Sequence, residues 1–303
     1  MSGMVDKVLA SMVAHNPEAL PLATVYSATE NSHPAALGML VSWRSIAKAG
    51  KPDLLAIDTR AGEAYFMLPV DESGSKSVLY GRIKVEGRKI SELELYINRS
   101  RGDHGFSYSP ADLPKNFKTL MSPPATRKKA SYEELKKLAL AAFDPSYPFD
   151  AKIAPDCQFT ELGWRVIDPG LPGTSPPAGV SPNAPLGCMN PPSRPVDKKA
   201  RIIAIDDELG LVVVAGLVPG VAFPYPYYGH MISAFIPTQM KEPMLAQQKW
   251  FEANAKEGKP PLLKPMAATG VTMQVLQYYD GALHAIQINV NLGGPDMKSD
   301  WVK

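Results

Sequence analysis

The chain has 303 residues, enough for one large or two ordinary hydrophobic cores, and 32 basic residues against 30 acidic ones give a net charge of +2. That balance removes the electrostatic case for nucleic acid or an anionic membrane as the main partner. No stretch approaches the ~18 apolar residues of a membrane span, and the two cysteines, Cys157 and Cys188, are too few for a disulfide framework, which suits a reducing compartment although one bridge stays open.

In chain order, Val5, Leu9, Met12 and Val13 recur at helical spacing and predict a short amphipathic helix over 3–14. The start lacks an apolar run with a small-residue cleavage site, so no signal peptide is expected and the protein reads as cytoplasmic. Leu20 to Asn31 passes into a short strand, and Met39 to Ala49, with Trp43 and Arg44, reads as a second helix. Leu54 to Asp58 and Ala64 to Val70 read as strands. The clearest local structure follows at Val78 to Arg99, where two alternating runs flank Gly87 as a β-hairpin. With Gly87-Arg88-Lys89 as a three-residue loop, Ile83 faces Leu93, Gly81 faces Leu95 and Leu79 faces Ile97 on one apolar side. The other side sets Lys84 opposite Glu92, Arg82 opposite Glu94 and Tyr80 opposite Tyr96.

The same order then returns. Tyr132 to Phe143 reads as a helix with Ser131 as N-cap and Glu134 at the capping-box position. Leu55-Ala56-Ile57-Asp58 with Gly62 is echoed by Ile203-Ala204-Ile205-Asp206 with Gly210, and the hairpin by Val271 to Asn291 around an Asp280-Gly281 turn. The period is too long for a solenoid, so the expectation is two similar α+β domains: 1–110, a linker at 111–130, and 131–303 with Pro-rich insertions at 168–195 and 219–268. In the second insertion Pro243 to Glu257 reads as a helix. The later hairpin is expected to set Gln274 opposite Gln287 and Thr272 opposite Asn289. That is a neutral amide face, which makes the second domain the structural or dimer-mimicking partner.

The chain lacks a GxGxxG after a strand, a GxxxxGK[ST] loop, a GxSxG elbow, HExxH and CxxC, so nucleotide, serine-hydrolase and zinc chemistries lack their sequence supports. His15, His33, His104, His230 and His284 are scattered, and neither a metal nor a cofactor is expected. Proton transfer or oxyanion stabilisation then falls to His104, Arg82, Tyr96, Glu94, Tyr26 and Arg44 as catalytic candidates. His33, Trp43, Arg99, Tyr108, Tyr227 and His230 are the substrate-binding candidates. The plain alternatives are a structural Arg82–Glu94 salt bridge, an exposed His104 and a core Trp43; Tyr227 and His230 suit an oligomer contact better than a lid.

The TEN stretch with Leu37-Gly38 and Trp43 downstream, Arg82-Ile83-Lys84-Val85-Glu86-Gly87, and Ile90-x-Glu92-x-Glu94 ending at Arg99 resemble a family of tandem nuclear transport factor 2-like (SnoaL-like) domains. The resemblance implies two cone-shaped α+β domains, each with N-terminal helices packed on a curved antiparallel sheet around an apolar pocket. It also implies use of that pocket without a cofactor. The leading expectation is a lyase or dehydratase acting on a small hydrophobic, phenolic molecule, in its most specific form the deformylating cleavage of a lignin-derived diarylpropane through a quinone methide. An isomerase or cyclase, or a non-catalytic binding module, are the alternatives. A homo-oligomer is expected in each case.

Overall fold

The computed structural model describes residues 1–100, 108–144, 146–148, 152–165, 188, 196–227, 230–256 and 263–302. It is an α+β arrangement of two curved seven-stranded sheets. In the first, β1 (Leu22–Glu30), β2 (His33–Pro34), β3 (Ile46–Ala49), β4 (Leu54–Asp58), β5 (Glu63–Glu72), β6 (Ser75–Glu86) and β7 (Lys89–Asn98) lie in the order β2-β1-β7-β6-β5-β3, with β4 also paired to β5. In the second, β8 (Lys152–Glu161), β9 (Trp164–Arg165), β10 (Arg201–Asp206), β11 (Leu211–Tyr227), β12 (His230–Pro237), β13 (Met266–Tyr279) and β14 (Ala282–Gly293) lie in the order β10-β11-β13-β14-β8-β9, with β12 on β11.

Six strands of each sheet share their connectivity, while the seventh differs: β3 precedes its partner β5 in the chain and β12 follows its partner β11. The first strand of each runs parallel to the last, pairing Thr29 with Glu94 and Thr160 with Gln287. Gly62 and Gly210 both take positive φ, +69° and +66°, where a side chain would strike the carbonyl oxygen of Val85 or Tyr278. Each final hairpin carries a β-bulge at the same place, at Lys84/Val85 and at Gln277/Tyr278.

That bulge decides where the hairpin readings hold. The first hairpin turns on two residues, Gly87-Arg88, both at positive φ, and the bulge adds the third residue that the expected loop supplied. Its cross-strand pairs are therefore as read. The second turns on Asp280-Gly281 as expected, but the bulge shifts the pairing by one, so that Gln274 meets Ile288, Val275 meets Gln287 and Met273 meets Asn289.

Helices cover the outer faces. Helix α1 (Ser2–Val13) buries Val5, Val8, Leu9 and Met12 against the apolar side of the first sheet, where Leu79, Ile83, Leu93, Leu95 and Ile97 stand. The expected second helix stops early: α2 covers only Val41–Ser45, and Ile46 to Ala49 turn into β3. Helix α4 (Tyr132–Ala141) starts at Ser131 with both arms of the capping box formed, and it buries Leu135 and Leu138 over the far face of the second sheet. Within the expected linker, α3 (Leu113–Met121) is a buried element rather than a spacer: Leu113, Phe117 and Leu120 enter the core shared by the two sheets. In the second insertion β11 continues to Tyr227, β12 returns along it, and α5 (Lys241–Lys256) follows.

The layers thus run α1, first sheet, second sheet, α4. The inner core between the sheets holds Tyr65, Met67, Tyr80 and Tyr96 from the first, and Val213, Val271, Met273 and Val275 from the second. It is fixed by a reciprocal contact: the Ile57 amide donates to Asp206 (2.9 Å) and the Ile205 amide to Asp58 (3.1 Å). Equivalent residues swap roles across it, as in an isologous dimer interface.

Cys157 on β8 and Cys188 are joined in a disulfide with 5.5 Å between Cα atoms. Such bridges persist in oxidising compartments, so this pairing weighs against the reducing, cytoplasmic placement suggested by the cysteine count. Among the described residues no helix is long and apolar enough to cross a membrane.

Candidate functional site

The mixed side of the first hairpin does not line a cavity beneath helices. Alternation fixes which residues share a face but not which layer covers it, and here the apolar face meets α1 while the charged and aromatic face meets the second sheet. Arg82, Glu94 and Tyr96, expected on a pocket wall, are 2%, 1% and 2% exposed in the seam between the sheets.

Burying a carboxylate that deeply requires partners. Glu94 receives Arg82 Nε on Oε2 (2.8 Å), the Tyr96 hydroxyl on Oε1 (3.0 Å), and Arg201 Nη2 from β10 on both oxygens (2.8 and 2.9 Å). Arg82 also donates to Glu92 (2.6 Å) and lies 3.6 Å from Glu63. The indole of Trp301, in the C-terminal tail, covers the Arg82 guanidinium at 4.6 Å and donates to the Thr29 hydroxyl at 3.1 Å.

Burial pushes the Glu63 carboxyl up to about 7 against the opposing pull of Arg82. Burial likewise drives Tyr65, Tyr80 and Tyr96 well above the ordinary tyrosine range, so Tyr96 acts as a hydrogen-bond donor to Glu94 and not as a base. Tyr80 stacks on Tyr96 at 5.3 Å, and Tyr65 accepts from Asn289 of the second sheet at 2.8 Å.

The other expected site residues disperse. Trp43 is core, its indole donating to Ser11 and its carbonyl 2.7 Å from His15 Nδ1. Arg44 is exposed on α2, on the α1 side of the sheet and so across it from Arg82, and His33 is exposed on β2. Arg99 grips Glu72 with two hydrogen bonds of 2.7 and 2.6 Å. Burial works against the Glu72 carboxylate, but bonds from Arg99, Ser45 and Ser77 outweigh it and hold the group below its usual range. Tyr108 donates to the Lys76 carbonyl and packs on the inner core. Tyr227 and His230 oppose each other at the tip of the β11–β12 hairpin, with side chains outside the described set, and His104 lies outside the described residues.

Tyr26 does face a cavity, of about 640 Å³, together with Thr29, Pro34, Glu92, Asp300 and Trp301. A second cavity of about 340 Å³ lies along the tail beside Arg201. No protein-family model and no curated protein matches the chain. Function therefore rests on these side chains. The sequence reading missed Arg201, Glu63 and Trp301. Arg201 was legible as a cation opening a strand whose next four residues are apolar, and Trp301 as a single large aromatic in a polar tail. Among the described residues no group of three His, Cys, Asp or Glu side chains is placed to hold a metal ion.

Proposed function

We propose that the chain is a fused pair of nuclear transport factor 2-like units acting as a cofactor-independent lyase or dehydratase on a small phenolic molecule. The substrate occupies the groove between β1 and the C-terminal tail, not the interior of the first unit, which Trp43, Met12 and Leu9 fill. One observation carries the reading: Glu92, Tyr26 and Trp301 line the same cavity, so residues bearing a carboxylate, a hydroxyl and an aromatic platform border one ligand site.

In this reading the phenol stacks on Trp301 and gives its proton to Glu92, whose charge Arg82 and Lys84 moderate from 2.6 and 3.7 Å. The ionised ring expels a para-benzylic hydroxyl, which takes a proton from Tyr26 and leaves as water, and a quinone methide results. Where a hydroxymethyl group stands on the adjacent carbon, loss of its O–H proton to the Tyr26 phenolate cleaves the carbon–carbon bond and restores Tyr26. Formaldehyde departs, and the bonding pair restores the aromatic ring.

Incubating the protein with phenols bearing a benzylic hydroxyl, and following water or formaldehyde loss by mass spectrometry, tests the assignment. Turnover should fall about 100-fold in Glu92→Gln and in Tyr26→Phe. Unchanged rates in both folded variants remove the assignment, and a product of unchanged mass indicates an isomerase. The complete pairing of Arg82 and Glu94 favours a second reading, a binding module that holds such molecules and yields no product.

A further inference from the structure

The smaller cavity is separate from the phenol groove and differs from it in chemistry. Its floor is apolar, from Ala215, Leu217 and Val271 on the second sheet and Met297 and Val302 of the tail. Four charged side chains line it: Lys199, Arg201 and Lys298 against the single carboxylate of Asp197. Asp197 is already committed, because its two oxygens accept the backbone amides of Lys199 (2.9 Å) and Leu217 (2.8 Å) and so hold the loop before β10. Arg201 reaches Glu94 through Nη2 alone, and that carboxylate is shared with Arg82. Lys199 and Lys298 are exposed at the rim.

The cavity therefore combines an apolar floor with a surplus of positive charge on one chain segment and the tail. An inorganic anion would leave the apolar floor wet, and a neutral apolar molecule would leave the cations unanswered. At about 340 Å³ it stands at the small end of ligand-binding cavities, roughly 300–1,000 Å³. We propose that this cavity is a binding site for an amphipathic monocarboxylate, a medium-chain or aryl-alkyl acid, with its carboxylate toward Arg201 and the two rim lysines and its hydrocarbon part on Leu217 and Val271. The site is independent of the proposed lyase chemistry and holds whether or not the phenol groove is catalytic.

Titration calorimetry with octanoate, 3-phenylpropanoate, octanol and inorganic phosphate tests it on the full chain. The two carboxylates bind, octanol binds at least about tenfold more weakly, and phosphate alone does not bind. The double variant Lys199→Ala/Lys298→Ala, both exposed and remote from the core, weakens octanoate about tenfold and leaves octanol unchanged. Leu217→Trp fills the cavity and abolishes binding of the acids, while circular dichroism reports an intact fold. Equal affinity for octanoate and octanol, full octanoate binding by the folded Leu217→Trp variant, or no binding of either acid to the wild-type chain overturns the proposal.

Discussion

The two sheets present equivalent positions to the same seam and fill them with opposite chemistry. Register equates Glu63, Tyr65, Arg82, Glu92, Glu94 and Tyr96 of the first sheet with Leu211, Val213, Val275, Ala285, Gln287 and Asn289 of the second. One surface is ionic and aromatic, the other aliphatic with two amides, yet both are buried. An ionic surface tolerates this only if its charges close on themselves. Three carboxylates meet Arg82 within the sheet, and the second sheet contributes a single cation, Arg201, at the strand start. The neutral surface needs only hydrogen bonds: Gln287 accepts from Thr160 and donates to Asn289, which donates to Tyr65. A fold can thus be kept while its interface chemistry is rewritten, provided that each polar group still ends on a partner.

The largest effect that breaks this contrast is at its centre. Glu94→Ala leaves the buried Arg82 guanidinium facing the half-buried one of Arg201 and should cost about 3–5 kcal/mol in urea unfolding, whereas the equivalent Gln287→Ala should cost about 1–3 kcal/mol. Equal losses would mean that the ionic cluster is not what distinguishes the two surfaces.

Next come the reciprocal aspartates. Removing either strands an amide of the other half, at about 1–3 kcal/mol each. Asp58→Ala should be the worse, because Asp58 also accepts from Arg60, Ala61 and Tyr132, while Asp206 accepts the amides of Leu209 and Glu208 in addition. Thermal unfolding of the pair checks the order.

Glu63 sharpens the comparison through pH. Its folded value of about 7 lies above the ordinary glutamate value of 4.5, so the folded state holds the proton more tightly and stability falls as pH rises between those values. Glu63→Gln, which moves the position toward the neutrality of Leu211, should match wild type near pH 4.5 and exceed it by on the order of 1–3 kcal/mol at pH 8. Parallel denaturation curves at the two pH values decide it. The smallest effect is at the rim, where Arg60 and Asp207 pair across the seam at 61% and 41% side-chain exposure. Arg60→Ala should change stability by less than about 1 kcal/mol, including its contact with the Tyr132 ring.

Much of the local structure was legible. Period-2 alternation placed the strands, Ser131 and Glu134 announced α4, and the Asp58/Asp206 echo marked the duplication. What alternation cannot carry is the covering layer. The charged face of β6 and β7 was expected on a pocket wall beneath helices, whereas α1 covers the apolar face and the charged face is buried against the second sheet. Nor does it carry a bulge: Tyr278 and His284 look like ordinary strand residues, and the one-residue shift that they accommodate moved every pair from Gln277–Ala285 onward. The candidate site was legible only in part. Tyr26, Arg82 and Glu94 were named, but Arg201 and Trp301 arrive from distant segments whose own sequence does not say what they will face.

Arg201 pairs with Ala215, the counterpart of Met67, and so occupies the position at which the first half carries Leu54, four residues before its own aspartate. Two copies of the first half facing each other would present Leu54 to Glu94 at the place where the second half presents Arg201. Two copies of the second would set an unanswered guanidinium against amides. Each half is therefore a poorer match for itself than for the other, and their link in one chain favours this unlike couple over self-association of either half.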